Sequence, residues 1–303
     1  MKKTPVMILF MLPFLSVVEI WASSNTSIKD RYDQLNEIYS NVELGSIKER
    51  REVAESLYLE NFKPIIANLG EEQLRQLDLE YLFRAVTVVN FYDPQVNYTR
   101  DLRRLLEFLE RKEFVKKRHY ADLQKAYVAA GQFELARSMV DEKKLKYLEY
   151  LPKINRVNDL ALEKPFILEF ENSSLKQRAF EIPSQGPFIL VISNPGCRFS
   201  RAAANYISDD VQFKKMFFKH SVWLTQPGGS LQVEQHKNWM QTYPKLPVGL
   251  IYNSSSWSFL DANLGTPAFY FFHDGQLSQS ILGWSLDDNQ QALKDALTDI
   301  GLI

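Results

Sequence analysis

The sequence contains a single cysteine, Cys197, among 303 residues. An internal disulfide is therefore excluded, although exported proteins commonly use disulfides in even numbers. The cysteine must be buried, capped, paired with another molecule or kept reduced for use. The sequence also lacks an excess of charge, because its formal net charge is -1. Since neutralising phosphates requires a basic surface, this balance argues against a general nucleic-acid-binding protein.

Metal-binding and phosphate-binding patterns are missing as well. The glycine-rich segment QPGGS (226–230) lacks the lysine and the spacing of a phosphate-binding loop. The histidines show no ligand spacing with cysteine or with carboxylates; they are His119, His220, His236 and His273. The sequence therefore predicts neither a metal site nor a bound cofactor.

The N-terminus carries a targeting pattern. Lys2 and Lys3 precede an apolar run over residues 6–18, which is too short to span a bilayer comfortably. Small residues follow this run, as they do at cleavage sites. We expect residues 1–24 to be a secretory signal peptide, and the protein to be periplasmic or secreted, with no stable membrane insertion after cleavage. An uncleaved membrane anchor is the alternative.

Residues 25–150 show helical spacing of apolar side chains almost throughout. Gly and Pro turn signals separate four helical stretches, at 46–70, 71–93, 97–114 and 117–143. Thr99 is expected to cap the third stretch. The pattern predicts an α-helical N-terminal domain built from antiparallel helix pairs.

The last stretch resembles one tetratricopeptide repeat unit, with Gly131 at the turn between its two helices. Its matching positions are Tyr120, Leu123, Tyr127, Phe133, Ala136 and Val140. Because solenoids usually need at least three units, we interpret this segment as a single repeat-like hairpin. This hairpin could form a partner-binding surface, or it could serve ordinary helix packing.

The pattern changes after residues 151–164, which we expect to be a linker. In 165–303, short apolar runs rich in β-formers predict strands at 166–170, 187–193 and 220–226, and a hairpin over 267–284. Helical stretches lie at 198–218, 231–243 and 285–301. This order predicts an α/β domain, with a mixed sheet and helices on both faces.

The stretch SNPGCRFSRAAANYI (193–207) places Cys197 directly after a buried strand and a Pro-Gly turn, at the start of a helix. Unpaired N–H groups and the helix dipole favour an anion at that position, and therefore a thiolate. Arg198 and Arg201 are expected to add positive charge nearby. Because the thiolate is the reactive form, the pattern favours thiol–disulfide exchange.

With these features, residues 164–303 resemble the thioredoxin fold family. In that family a cis-proline lies beside the reactive cysteine, and Thr266-Pro267 followed by AFYFF matches this position. Gly283 matches a glycine common in the family. The resemblance implies a thioredoxin-like C-terminal domain in which Thr266 and Pro267, together with Arg198, bind the partner.

The redox motif departs from the family pattern, because Cys197-Arg198-Phe199-Ser200 replaces Cys-x-x-Cys. Ser200 can donate a hydrogen bond to a Cys197 thiolate but cannot form a disulfide. We therefore expect a monothiol site in which Cys197 is the nucleophile and an external thiol reductant resolves its adducts. The expected partners are exported protein thiols or small thiols. The alternative is a non-catalytic scaffold, with a redox-inactive thioredoxin-like domain and a helical partner-binding domain.

Overall fold

The computed structural model describes residues 26–38, 47–70, 73–143, 145–156, 165–225, 228, 230–253, 257, 260 and 265–303. The expected signal peptide, 1–24, lies outside the described residues, and so does the part of the expected linker over 157–164. Within the described ranges, none of the helices has the length and apolar character needed to cross a bilayer.

The N-terminal half is helical, as the sequence predicts. Helix α4 packs against α1, α2, α5 and α6, so it occupies the centre of this half. Its side chains Leu79, Leu82 and Val86 are completely buried. The helices are α1 (Ile28–Glu37), α2 (Ile47–Asn61), α3 (Lys63–Ala67), α4 (Gln76–Tyr92), α5 (Val96–Arg111), α6 (Lys117–Ala129) and α7 (Phe133–Lys143).

The expected cap at Thr99 is wrong. Helix α5 begins at Val96, three residues earlier, and its N-cap is Gln95. The Thr99 hydroxyl instead donates to Oε1 of Gln132 at 2.6 Å, a contact between α5 and the turn after α6. The Thr99 side chain, which the sequence pattern assigned to a helix cap, therefore binds a residue distant in the sequence instead.

Helices α6 and α7 form the predicted hairpin around Gly131. Gly131 has φ +68°, a backbone conformation that glycine adopts without steric cost. The backbone N–H of Gly131 donates to Val128 O, and that of Gln132 donates to Tyr127 O. This pair of bonds is the Schellman arrangement that ends a helix. The likeness to a tetratricopeptide unit stays an interpretation.

The C-terminal half contains the predicted strands and helices, with three further strands. Strands β1, β3 and β6 were not predicted. The elements are β1 (Ile154–Asn155), β2 (Phe166–Glu171), β3 (Ser174–Ala179), β4 (Pro187–Ser193), α8 (Arg198–Asp209), α9 (Val211–His220), β5 (Ser221–Thr225), α10 (Val233–Thr242), β6 (Val248–Gly249), β7 (Ala268–His273), β8 (Gln276–Leu282) and α11 (Leu286–Asp299).

The stretch 198–218, read from the sequence as one helix, is divided at Asp210. The Asp210 carboxylate accepts hydrogen bonds from the backbone N–H groups of Gln212 and Phe213, at 2.8 and 2.9 Å. Aspartate at an N-cap satisfies donors that have no partner within the helix. The chain therefore ends α8 and starts α9 at this residue.

The main sheet has the strand order β6-β5-β4-β7-β8. Strands β4, β5 and β6 are parallel, while β7 is antiparallel to both β4 and β8. A smaller sheet has the order β1-β3-β2, and a bridge between Leu168 and Leu250 connects it to the end of β6. Strand β1 lies in the expected linker, so residues 154–155 are part of a sheet.

The side chains of β4 alternate between two cores, as a period of two requires. Ile189 and Val191 pack with side chains of α8, α9, α10 and α11. Leu190 and Ile192 pack on the opposite face, where the described cover comes from Ile167 of β2 and from loop residues such as Trp257. The chain passes from β4 through α8 to the neighbouring strand β5, and then through α10 to β6 on the far side of β5, so both connections run toward the same edge of the sheet. Right-handed crossovers therefore place both helices on one face.

One apolar cluster crosses from the helical half into the C-terminal half. It joins buried side chains of α4, α5 and α6 to those of β2, β3, the start of α10 and the end of β6. Phe133 and Tyr252 meet within it in an edge-on contact, with ring centroids 5.0 Å apart. The two halves therefore share a core, whereas the exact domain boundary stays a prediction.

A carboxylate also connects the halves. Glu149 accepts hydrogen bonds from the Ser230 hydroxyl and from the backbone N–H groups of Leu231 and Val233, at 3.0 to 3.1 Å. It thereby caps α10, whose N-cap residue makes no side-chain cap bond. The side-chain amide of Gln124 in α6 binds the Glu149 backbone at both N–H and C=O. A residue of the helical half thus positions the start of α10.

Candidate functional site

The turn after β4 is built by its asparagine. The Asn194 carbonyl accepts from the Cys197 backbone N–H at 2.8 Å, which closes the turn. The Asn194 side chain accepts from the Gly196 backbone N–H at 2.8 Å. Asparagine at the first position and proline at the second favour such a turn. This local chemistry places Cys197 at the N-cap of α8, as the sequence predicts.

Gly196 permits a close approach between this turn and α10. A Cβ atom on this residue would lie 3.0 Å from Oε1 of Gln235 and 3.2 Å from Oδ1 of Asn194. Any larger residue would have to displace one of these side chains. Helix α10, which Glu149 caps, therefore packs directly against the turn that carries the cysteine.

Strand pairing brings Thr266 and Pro267 to Cys197. Strand β7 begins immediately after Pro267 and pairs with β4, with Ala268 opposite Ile192. The Thr266-Pro267 peptide bond is cis. The Cys197 thiol donates to the Thr266 carbonyl, with Sγ and O 3.5 Å apart, across 69 residues of sequence. The structure thus brings together the cysteine and the Thr-Pro pair.

Hydrogen bonds set the acidity of the thiol. Burial raises the pKa of Cys197, but several donors outweigh that effect, so the pKa lies below its ordinary value. The donors are, in decreasing order, the Ser200 backbone N–H, the Thr266 side chain, the Phe199 backbone N–H and the Ser200 side chain. Cys197 is partly exposed. A thiol with a lowered pKa and access to solvent has the properties of a reactive cysteine.

Ser200 is completely buried. Its hydroxyl oxygen accepts from the Asn194 backbone N–H at 3.1 Å. The oxygen is therefore held in place, and the hydroxyl hydrogen remains available for the sulfur of Cys197. The structure gives Ser200 a local contact with the thiol, as its spacing suggests.

The two arginines that follow the cysteine make different contacts from each other. Arg201 donates from one terminal nitrogen to the carbonyls of Pro195 and Gly196, both at 3.0 Å, so it braces the turn. Arg198 is exposed and stacks over the Phe199 ring, with Cζ 4.6 Å from the ring centroid. The lowered pKa of Cys197 comes from hydrogen-bond donors at the helix start and at Thr266.

Two contributors to the site were not identified from the sequence. Asn194 builds the turn and also anchors Ser200, and the Asn-Pro-Gly order was a signal that could have indicated the first role. Glu149 acts on α10 from 81 to 84 residues away along the chain. No local pattern indicates such a partner.

Across the described ranges, no three or more His, Cys, Asp or Glu side chains are grouped so that they could hold a metal ion. The four histidines lie on separate elements or at their ends. His236 of α10 is buried, and its ring nitrogen Nδ1 lies 3.0 Å from the Gln232 carbonyl oxygen. Its other ring nitrogen, Nε2, is buried and has no hydrogen-bond partner among the described residues.

Comparisons with known proteins add little. No protein-family model and no curated protein matches the sequence. A solved structure of a thioredoxin-like protein from Bacteroides caccae is similar over 97% of this chain and 99% of that chain, with 10% sequence identity and a TM-score of 0.33. The C-terminal half has a thioredoxin-like fold. This assignment rests on the strand order β5-β4-β7-β8 and on Cys197 at the start of α8 beside Pro267.

Proposed function

We propose that the protein performs monothiol thiol–disulfide exchange through Cys197. The observation that carries this proposal is Cys197 itself, a partly exposed residue at the start of α8 whose thiol has a lowered pKa. A cysteine kept only as a small core residue would instead be buried in apolar surroundings, which raise the pKa. Thr266, whose carbonyl oxygen lies 3.5 Å from the sulfur, and Pro267 directly precede β7, and in this proposal they bind an extended partner segment beside the sulfur.

The reaction proceeds by two exchange steps. The Cys197 thiolate attacks one sulfur of a partner disulfide, forming a mixed disulfide and expelling the other partner sulfur as a thiolate, which takes a proton from water. An external thiol, as its thiolate, then attacks the partner sulfur of the mixed disulfide. Cys197 leaves as a thiolate, and the partner is disulfide-bonded to the external thiol. Ser200 stabilises the Cys197 thiolate in both steps but supplies no second sulfur.

The proposed partners are exported protein disulfides or small disulfides, with an external low-molecular-weight thiol as the resolving reductant. Arg198, stacked on the exposed Phe199, gives the rim of the site a cationic and an aromatic surface. Both are suited to contact a partner segment that lies over the start of α8. Export by way of residues 1–24 is part of this proposal.

Reaction with oxidised glutathione at pH 6 tests the proposal. Intact mass should show one glutathione adduct, absent in Cys197→Ala and released by added dithiothreitol. The matched reference is the same chain unfolded in urea, which carries the same thiol without its hydrogen bonds. The folded protein should react faster, because a lower pKa raises the thiolate fraction more than it reduces the nucleophilicity of the sulfur. A folded protein that reacts more slowly than the unfolded chain would instead support the scaffold function.

A further inference from the structure

A cluster of basic side chains surrounds one buried carboxylate in the helical half, far along the chain from Cys197. Glu80 of α4 has a side chain only 6% exposed and pairs with Arg84, Lys116, Arg118 and His119. Arg84 lies one turn further along α4, whereas the other three lie at the start of α6. The cluster, here called the Glu80 cluster, therefore joins two helices.

The Glu80 carboxylate is saturated with donors. Oε1 lies 3.1 Å from Nε of Arg84 and also accepts from Arg118, while Oε2 accepts from Lys116 at 3.3 Å and from His119 at 3.1 Å. A carboxylate offers about four acceptor positions, and here each has a donor. The guanidinium and ammonium groups carry more N–H donors than Glu80 can accept.

His119 contributes a donor to the cluster but no positive charge. Its Nδ1 accepts from the Lys116 backbone N–H at 3.0 Å, so Nε2 carries the hydrogen that faces Glu80. Burial lowers its pKa, Glu80 opposes that effect, and the charges of Arg118 and Lys116 lower the pKa further. The imidazole is therefore neutral near pH 7.

The cluster consequently has an excess of positive charge. Three cations face one carboxylate, which leaves two positive charges without a counterpart, and in the described part of the chain these cations have no second carboxylate within 4.0 Å. Their side chains are 43%, 49% and 42% exposed for Arg84, Lys116 and Arg118. Because one carboxylate binds all three, their charged ends are held close together, and each side chain is still more than two fifths exposed to solvent.

We propose that Arg84, Lys116 and Arg118 form a binding site for a doubly charged oxyanion, of the phosphate monoester class. Two uncompensated charges match the charge of such a group, and guanidinium groups present paired donors to its oxygens. Glu80 acts as the support that positions the three cations. A soluble phosphate ester and a phosphate monoester headgroup at a lipid surface share this chemistry. The site is independent of Cys197.

Isothermal titration of the mature protein with glycerol 3-phosphate at low ionic strength tests the site. We expect one binding site per chain, with an affinity that falls as salt is added. Arg118→Gln should weaken binding about tenfold or more, since it removes a charged donor. Arg103→Gln is the control, because Arg103 is a similarly exposed arginine that pairs with a single glutamate, Glu107, outside the Glu80 cluster. That control should bind as tightly as the wild type.

Cosedimentation with vesicles separates the two sources of phosphate. Phosphatidic acid vesicles should retain the wild type but not Arg118→Gln if the site takes a lipid headgroup, with phosphatidylcholine vesicles as the neutral control. Retention on neither vesicle, with glycerol 3-phosphate binding intact, identifies a soluble ester. A urea unfolding curve for Arg118→Gln establishes that the variant is folded. Equal binding by Arg118→Gln and Arg103→Gln, or no binding of either probe by the wild type, would overturn the proposal.

Discussion

The backbone N–H of Asn194 donates to the hydroxyl oxygen of Ser200, at 3.1 Å, across the turn that carries Cys197. This bond fixes the hydroxyl oxygen on the buried side of the turn. The Ser200 hydroxyl hydrogen stays available to the sulfur, and the hydrogen bond from this side chain is one of the causes of the lowered pKa of Cys197.

Ser200→Ala should raise the pKa of Cys197. The substitution removes the hydroxyl donor to the sulfur and leaves the Asn194 N–H without its acceptor, which should also lower the free energy of unfolding by about 1–2 kcal/mol. The rate of iodoacetamide alkylation measured against pH reports the titration, and its inflection should move to higher pH. An unchanged inflection would mean that the backbone donors and Thr266 alone set the acidity.

Ser200→Cys should convert the site into a dithiol. The new sulfur takes the place of an oxygen already hydrogen-bonded toward Cys197, so an internal disulfide should form on mild oxidation. Thiol counting should then show two free thiols after reduction and none after oxidation, and glutathione adducts should no longer persist. Ser200→Ala serves as the control that lacks the second sulfur. A variant that keeps two reactive thiols after oxidation would contradict the proposed contact.

Glu149→Gln should weaken the attachment of α10 to the helical half. The variant keeps the shape of the side chain but loses the charge that accepts from Ser230, Leu231 and Val233. Hydrogen bonds to a charged group at a helix start predict a loss of about 1–3 kcal/mol in the free energy of unfolding. Urea unfolding followed by tryptophan fluorescence measures it. Glu234→Gln, at an 81% exposed side chain in the first turn of α10, should cost much less.

His236→Asn should reduce the loss of unfolding free energy that occurs as the pH falls below 6.5. Burial lowers the pKa of His236 to about 4, whereas the unfolded chain has the ordinary value of about 6.5. As the pH falls from 6.5 to 4, the unfolded state gains a proton that the folded state does not bind. The wild type should therefore lose up to about 3 kcal/mol of unfolding free energy over that range.

Urea unfolding at several pH values between 7 and 4 measures this difference (a range chosen to span both pKa values). Asparagine retains a donor for the Gln232 carbonyl, so the variant should fold. His273→Asn, the same substitution at the exposed last residue of β7, is the control for the change of side chain. If the wild type and His236→Asn lose stability in parallel, His236 does not contribute the slope.

N-terminal processing should remove the apolar run. Because small residues follow residues 6–18, the mature chain should begin near Ser23 or Asn25. N-terminal sequencing of protein from the exported fraction checks this. A mature chain that still carries residues 1–18 would support the uncleaved anchor.

The pattern of apolar residues predicted the strands that are buried in apolar surroundings. Strand β4 was predicted with its observed bounds, 187–193, because it is a continuous apolar run buried on both faces. The hairpin of β7 and β8 was predicted from its Asp274-Gly275 turn. Strand β3 was missed because its sequence, SLKQRA, is mostly polar, and β6 is only two residues long.

Two features of the candidate site were predicted, one from the residues next to Cys197 and one from the family resemblance. Cys197 at a helix start follows from the turn signal before it, and its closeness to Pro267 follows from the resemblance. The anchoring of Ser200 by Asn194 joins residues only six positions apart, but the sequence analysis did not identify it. The capping of α10 by Glu149 depends on how distant segments pack, and a single sequence contains no local pattern for it.

The apolar cluster between the halves limits how this chain can be recombined with other proteins. A chimera that replaces residues 26–156 with another helical domain would leave Leu168, Leu250 and Tyr252 facing water unless the donor domain supplied a matching surface. The thioredoxin-like half produced alone would expose the same side chains as an apolar patch that favours aggregation. For the C-terminal half to fold independently, that patch would need polar replacements and α10 would need a new cap.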